Sequence, residues 1–289
     1  MSAPGPAIRR PARGAGDKAV ATTSHVLLTV WTILVVAPLA WTVMSSFKTS
    51  NEILSNPLAL PTSLSFANYV NVWSDAGIGG FFLNTVVVVG SALILVMLLG
   101  SMCAYVLARF KFPGNRLVYS VMLGAMAFPV FLAIVPLFFV LENFGILNTK
   151  PGLVITYVAF ALPFTVFFLH SFFEQLPNDV YEAALIDGAG EWRTFFLVMA
   201  PMATPGVSSV AILNFLGMWN QFLLPLVLNT KRDNYVLTQG MSNFAAAVGR
   251  AVDYGALFAA VVITVVPVLI VYVLLQRRLE GSVTQGTFR

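Results

Sequence analysis

The sequence is poor in cysteine and in charged side chains. Cys103 is the single cysteine, so the chain has no intramolecular disulfide and no cysteine cluster for a metal ion. Only 10% of the 289 residues are charged, whereas 58% are hydrophobic, which lies outside the usual composition of soluble domains. These shortages exclude a disulfide-stapled protein and indicate that water is not the main solvent of the chain.

Motifs for ATP hydrolysis and for hydrolytic catalysis are also missing. No Gly-x-x-x-x-Gly-Lys-Ser/Thr loop occurs, and neither His-Glu-x-x-His nor Gly-x-Ser-x-Gly is present. The two histidines, His25 and His170, stand apart near the ends of apolar runs, which is more typical of interfacial residues than of a catalytic pair. The basic residues are scattered and form no patch for nucleic acid. The sequence therefore predicts a protein that is not an enzyme, with no metal site and no nucleic-acid partner.

Six stretches lack Asp, Glu, Lys and Arg and are long enough to cross about 30 Å of hydrocarbon. They are continuously apolar rather than alternating, which favours helices over the strands of a β-barrel. We predict spans at 25–46, 84–108, 117–141, 153–173, 207–228 and 256–276. The predicted fold class is an all-α integral membrane protein of six transmembrane helices. A flexible basic tail at 1–24 and a tail at 277–289 flank the spanning domain, 25–276.

The distribution of Lys and Arg predicts the orientation of the spans. Counted on alternate sides, the side that holds both termini carries 11 of these residues and the other side carries 5. The richer side is cytoplasmic by the positive-inside rule, so both termini are predicted to be cytoplasmic.

The predicted spans contain no charge but many prolines. Carriers driven by protons or ions commonly use intramembrane charges, so the driving energy is predicted to come from elsewhere. Proline removes a backbone donor and bends a helix, and five of the six spans contain it, at Pro38, Pro129, Pro136, Pro163, Pro225 and Pro267. These bends fit packing kinks and the walls of a polar path equally well.

The segment 174–206, the longest on the predicted cytoplasmic side, is too polar to cross a bilayer but is strongly patterned. A helix is predicted after Pro177, because Asn178 or Asp179 can cap it and Asp179 with Glu182 fits a capping box. We call residues 174–206 the signature loop.

Glycines and alanines shape the rest of this predicted helix. Gly188 and Gly190 are predicted to end it in a sharp turn. Ala183 and Ala184 leave a low surface that the backbone of another protein could approach closely. Larger apolar contacts are available beside them, at Val180, Tyr181 and Leu185.

The spacing of these residues resembles the signature of ABC importer permeases. That signature is Glu-Ala-Ala-x3-Gly-x9-Ile-x-Leu-Pro, and here residues 182–184, Gly188 and Pro201 match it, with Val198 for Ile and Ala200 for Leu. The resemblance implies a type I ABC importer permease fold. It also implies that the signature loop forms a coupling helix seated in a groove of a separate ATPase subunit.

The resemblance implies further site residues and partners. It assigns coupling to the ATPase to Asp179, Tyr181, Glu182, Ala183, Ala184, Asp187, Gly188 and Pro201. For Glu182, a capping role and a polar contact with the ATPase both stay open. The implied partners are a second permease subunit, two ATPase subunits, an extracytoplasmic sugar-binding protein and membrane lipid. ATP and Mg²⁺ belong to the ATPases, and this chain itself is predicted to bind no cofactor.

Other segments resemble the maltose-type carbohydrate permeases, and the likeness covers nearly the whole chain after the tail. These segments are 45–48, 82–85, 219–223 and 253–257, although Gln221 stands where the family more often has an acidic residue. The implied function is import of a sugar or oligosaccharide across a prokaryotic plasma (inner) membrane, by a multi-pass subunit served by the binding protein. An ABC permease for another small solute and a stand-alone secondary carrier are the alternatives.

A sugar path needs groups that match hydroxyls, together with aromatic faces. Span five is predicted to supply them from Asn214, Trp219, Asn220 and Gln221. Asn and Gln also join helices in lipid, so both interpretations stay open.

Overall fold

The computed structural model describes residues 15–251 and 253–285, and the ordered elements in these ranges are all helical. A π-helical turn covers Phe195–Met199 and a 3-10 turn covers Arg232–Asn234. In chain order the α-helices are α1 (Ala15–Ser45), α2 (Ser50–Ser55), α3 (Ala67–Ser74), α4 (Ile78–Arg109), α5 (Asn115–Met126), α6 (Val130–Asn143), α7 (Lys150–Glu174), α8 (Asn178–Ile186), α9 (Glu191–Thr194), α10 (Ala200–Met202), α11 (Thr204–Trp219), α12 (Leu223–Leu228), α13 (Leu237–Ala251) and α14 (Tyr254–Gln285).

Four of these helices are individually long and apolar enough to cross a membrane. They are α4, α7, the part of α1 from Val20 and the part of α14 up to Gln276. Two bent pairs of helices are also long and apolar enough when each pair is taken together: α5 with α6, bent by 106°, and Glu191–Met202, the end of the signature loop, with α11, bent by 78°. The count reaches six when each bent pair is one span, and the predicted all-α membrane fold is confirmed.

The third span differs from the predicted single helix at 117–141. α5 ends at Met126, and α6 begins only after Pro129. Proline has no N–H to donate and biases the residue before it away from helical geometry, so the chain turns sharply here.

The fifth span is also broken, where one helix was predicted over 207–228. α11 ends at Trp219 and α12 begins at Leu223. Pro225 has no N–H with which to bond the carbonyl of Gln221 four residues earlier. That carbonyl instead accepts a hydrogen bond from Thr238 Oγ1 at 2.8 Å. A neighbouring element therefore satisfies the freed backbone group.

The first and last helices extend beyond the predicted bounds of the spanning domain, 25–276. Helix α1 already begins at Ala15, within the predicted flexible tail 1–24, and residues 1–14 lie outside the described residues. α14 continues to Gln285, nine residues beyond the predicted end of span six. The apolar part of α14 ends at Gln276, as predicted, and the helix continues past it because Arg, Leu and Glu, which follow at 277–280, are good helix formers.

The pair α4 and α7 forms the centre of the bundle. Both helices run in the same direction, and close approach at Gly100 brings them together. A Cβ at Gly100 would lie 2.5 Å from Cγ2 of Thr165, so no larger residue fits without movement. The side chains of Val96, Val166 and Leu169 are fully buried. This rigid pair extends from one end of the bundle to the other.

One end of the bundle carries a cap of short helices. Residues 46–77 and 229–255, which contain α2, α3, the 3-10 turn and α13, form what we call the capped end. Asn84, in the second turn of α4, donates through Nδ2 to the carbonyls of Asp233 and Tyr235, at 2.8 and 2.9 Å. The signature loop lies at the opposite end, where α4 and α7 finish.

Candidate functional site

Helix α8 begins two residues earlier than the predicted capping box requires. Its first residue is Asn178 and its N-cap position is Pro177, which has no side-chain donor or acceptor. Asp179 therefore lies inside the first turn, and the capping box with Glu182 does not form. An acidic side chain in the first turn is still favourable, because the amino end of a helix carries partial positive charge.

The faces of α8 separate the predicted coupling residues. Ala184 is buried against the rest of the chain, whereas Ala183 and Glu182 are exposed. Ile186, an apolar residue at the end of the helix, is 86% exposed. The outward face thus combines acidic groups, a small residue and apolar area, which is unusual for a surface that only contacts water.

The turn after α8 has a backbone conformation that favours glycine. Gly188 has φ +80°, in the left-handed region. Its N–H donates to Leu185 O at 3.0 Å, and the N–H of Ala189 donates to Ala184 O at 3.0 Å, which together make a Schellman motif. Gly190 differs, since φ is −73° and any residue adopts this conformation. Asp187, exposed, occupies the C-cap position.

Tyr181 joins α8 to its neighbours. Its hydroxyl donates to Glu191 Oε1 at 2.8 Å, and its ring meets the Phe110 ring edge-on at 6.5 Å. Burial, followed by the bond to the Glu191 carboxylate, raises the pKa of Tyr181 to about 12. The phenol therefore stays protonated at neutral pH and keeps donating to Glu191.

The end of the signature loop leads into span five through irregular helix. Phe195 and Met199, in the π-helical turn, are buried among the side chains of α4 and α7. Pro201 lies in α10, and the axis bends by 78° at Ala203 before α11. π-helical turns occur frequently at functional sites. This segment connects α8 directly to the helix that carries the predicted substrate path.

The four residues of the predicted path do not all meet. Asn214, 6% exposed, donates to Thr165 Oγ1 at 2.8 Å and so joins α11 to α7. Trp219, 4% exposed, donates through Nε1 to Thr264 O on α14 at 3.2 Å. The side chain of Asn220 returns to its own helix, at Leu216 O. Asn214 and Trp219 are thus used in helix packing.

A cavity of about 270 Å³ lies between α7 and α11 and brings together Asn214 and Gln221. Its wall on α7 is aromatic, at Tyr157, Phe160 and Phe164. These three residues were not predicted, although their spacing of three and four places them on one helical face and is visible in the sequence. Polar groups beside aromatic rings can bind a sugar face and its hydroxyls.

The chain belongs to the family described as binding-protein-dependent transport system inner membrane component, whose model matches residues 96–285. It is 66% identical, over 278 residues, to the diacetylchitobiose uptake system permease protein NgcG of Streptomyces coelicolor, which covers 96% of this chain and 92% of that protein. It is 30% identical to the trehalose/maltose transport system permease protein MalG of Thermococcus litoralis, over 89% of this chain and 92% of that protein.

A solved structure shares the fold. It is the crystal structure of a bacterial ABC transporter involved in the import of the acidic polysaccharide alginate, with a TM-score of 0.81 and 21% identity. The match covers 93% of this chain and 99% of that chain. The fold is therefore that of a type I ABC importer permease, and the protein is a transport subunit of the inner membrane.

Proposed function

We propose that this subunit imports a disaccharide of N-acetylated amino sugars, such as diacetylchitobiose, as one half of a permease pair. The observation that carries this proposal is the 66% identity to NgcG over 96% of the chain. The cavity between α7 and α11 supports it, because one aromatic wall and the amides of Asn214 and Gln221 offer the two kinds of contact that a sugar requires.

In this proposal α8 is the coupling helix. Its exposed outward face docks on an ATPase subunit, through Asp179, Glu182, Ala183 and Asp187, while Tyr181 and Ala184 hold the helix to its own chain. Gly188 and Pro201 then shape the path of the chain into α11. ATP and Mg²⁺ bind the two ATPase subunits. Their closure moves α8 and switches the permease pair between two states.

The orientation follows from the same assignment. The end with the signature loop and both termini faces the cytoplasm, in agreement with its excess of Lys and Arg. The capped end then faces outward and receives the sugar from the binding protein, partly through the surface of α13.

Sugar uptake by cells that lack this gene tests the proposal. Loss of uptake of labelled diacetylchitobiose, restored by the wild-type gene, is the expected result, with uptake of labelled maltose unchanged as the control. Unchanged diacetylchitobiose uptake in the deletion strain would contradict the assigned substrate. Flux through proteoliposomes containing this chain without any ATPase would instead indicate a stand-alone carrier.

A further inference from the structure

A short link connects α8 to α7. α7 ends at Glu174 and α8 begins at Asn178, so three residues join them, and Pro177 is extended with ψ 135°. Tyr181 and Ala184 hold the later turns of α8 to its own chain, so the link at Pro177 is where the start of α8 needs a further contact to follow α7. Without such a contact, motion of α8 would reach α7 less directly.

Arg109, the last residue of α4, bridges this connection. Its Nη2 donates to the carbonyl of Leu176 at 2.6 Å, and its Nη1 donates to Oδ1 of Asn178. One side chain therefore joins the end of α4 to the segment after α7 and to the first residue of α8.

The chemistry of the bridge requires arginine. Both acceptors are neutral, and within the described ranges Arg109 forms no ion pair, so the contact depends on the geometry of the planar guanidinium. A guanidinium presents several N–H groups in a rigid fork, whereas a lysine ammonium is a point charge on a flexible stem. Hydrogen bonds from a charged donor are also stronger than those between neutral groups.

We propose that Arg109 is a positioning residue that transmits the displacement of α8 into α4 and α7. This inference rests on the proposed docking of α8 on an ATPase. α4 packs closely along α7, and α7 carries the aromatic wall of the cavity. A route of packed helices thus connects the outward face of α8 with the cavity, and Arg109 bridges the link between α7 and α8.

The test measures the cavity's response to ATP in the assembled complex, without sugar. A cysteine replaces Gly217, which lines the cavity and where a Cβ meets open space, in a chain that also carries Cys103→Ser. The rate of labelling by a membrane-impermeant thiol reagent is compared with and without ATP and vanadate. Because no sugar is added, the result does not depend on which substrate the importer carries.

Arg109→Gln is expected to reduce the ATP-dependent change in labelling rate about tenfold, while ATP hydrolysis continues. Arg109→Lys restores only part of the response, because an ammonium does not reproduce the fork. Arg116→Gln is the matched control: Arg116 is an exposed cation seven residues away, and its side chain has no hydrogen bond or ion pair to the rest of the described chain. Its response should equal that of the wild type.

Asn178→Ala removes only the α8 side of the bridge and changes an exposed residue. Asn178→Ala replaces Arg109→Gln as the test variant if Arg109→Gln assembles poorly. Its ATP-dependent change in labelling rate is expected to fall about threefold. Combining Asn178→Ala with Arg109→Gln should add little, because both break the same bridge. A normal ATP-dependent response in Arg109→Gln, or in Asn178→Ala, would overturn the proposal.

Discussion

The two ends of the bundle are stabilised in different ways. At the capped end polar groups are buried and bonded within the chain: Lys48 is 1% exposed and its Nζ donates to Pro57 O at 3.1 Å, and Gln239 Nε2 donates to Asn229 O at 2.7 Å. At the signature loop, Glu182 and Ile186 are exposed. The capped end therefore holds buried polar groups by bonds within the single chain, although it also exposes apolar side chains such as Leu58 and Leu60, whereas the outer face of α8 presents exposed acidic and apolar groups.

This difference predicts two kinds of mutational effect. Buried polar groups are costly to leave unbonded, so changes at the capped end should lower stability first. An exposed helix contributes little to stability, so changes on α8 should lower uptake in a protein that still folds. Variants at each end should therefore separate loss of stability from loss of uptake.

Replacing Gly188 is expected to have the largest effect. Gly188→Val places a β-branched residue at φ +80°, which costs about 1–2 kcal/mol, and distorts the turn that presents α8. We expect sugar uptake to fall at least about tenfold while the protein still reaches the membrane, as measured by uptake per amount of membrane protein.

Gly190→Val is the matched control, since Gly190 has φ −73° and a Cβ there meets nothing within 4 Å. Gly188→Asn distinguishes backbone strain from the addition of a side chain, because asparagine tolerates the left-handed region and should retain more uptake than valine. Normal uptake in Gly188→Val would contradict the proposal that changes at the signature loop lower uptake.

At the capped end, Asn68→Ala should affect stability instead. Nδ2 of Asn68 donates to the carbonyls of Ser46 and Lys48, both at 2.9 Å, and alanine leaves both acceptors without this donor. The expected cost is about 2 kcal/mol, or a thermal midpoint about 4–8 °C lower. Asn71→Ala, an exposed position on the same helix, should leave the midpoint unchanged. Equal midpoints for the two variants would contradict the proposed contribution of the Asn68 hydrogen bonds to stability.

The sequence predicted the number and type of the spans but not where they break. α4 and α7 follow from long apolar runs, whereas the consequences of proline depend on neighbours. Pro163 stays inside α7, but Pro225 accompanies a break after Trp219. The freed carbonyl at this break is satisfied by Thr238, seventeen residues later. Pattern alone does not reveal such a distant partner.

The candidate site was predicted with similar limits. Gly188 was identified correctly as a turn residue, because only its type and position after a helix mattered. The capping box was wrong, since its residues fit the motif but the helix starts two positions too early. The cavity needed α7 and α11 to be placed side by side, and the sequence of span five alone did not indicate its aromatic wall.

Removing one tyrosine hydroxyl at each end of the bundle compares the two ends with a smaller change. Tyr181→Phe removes the bond to Glu191 at the signature loop but keeps the aromatic ring, so uptake should fall about two- to fivefold with an unchanged thermal midpoint. Tyr69→Phe removes the contact of the Tyr69 hydroxyl with Ser46 Oγ at 2.6 Å at the capped end. It should lower the midpoint slightly and leave uptake unchanged. Reversed effects would show that the two ends do not differ as described.

The smallest expected effect is a change in the pKa of Glu52, at the start of α2. Hydrogen bonds from the Thr62 hydroxyl, and then from the Thr49 N–H, lower the pKa of Glu52 from 4.5 to about 2. Because the folded pKa is depressed, the ionised carboxylate stabilises this turn above about pH 4.5, and the contribution is lost as the pH falls towards 2.

Thr62→Ala should therefore raise the pKa of Glu52 towards 4.5, measured by a carboxyl-carbon NMR titration of the solubilised protein. Ser63→Ala, a change at the neighbouring exposed hydroxyl, should leave that pKa near 2. Uptake at pH 7 should be the same in both variants, since the carboxylate stays ionised at that pH in either case. An unchanged pKa in Thr62→Ala would mean that the capped end does not hold this carboxylate through Thr62. A loss of uptake at pH 7 would mean that a local bond at the capped end reaches the transport step, and the separation of the two ends would fail.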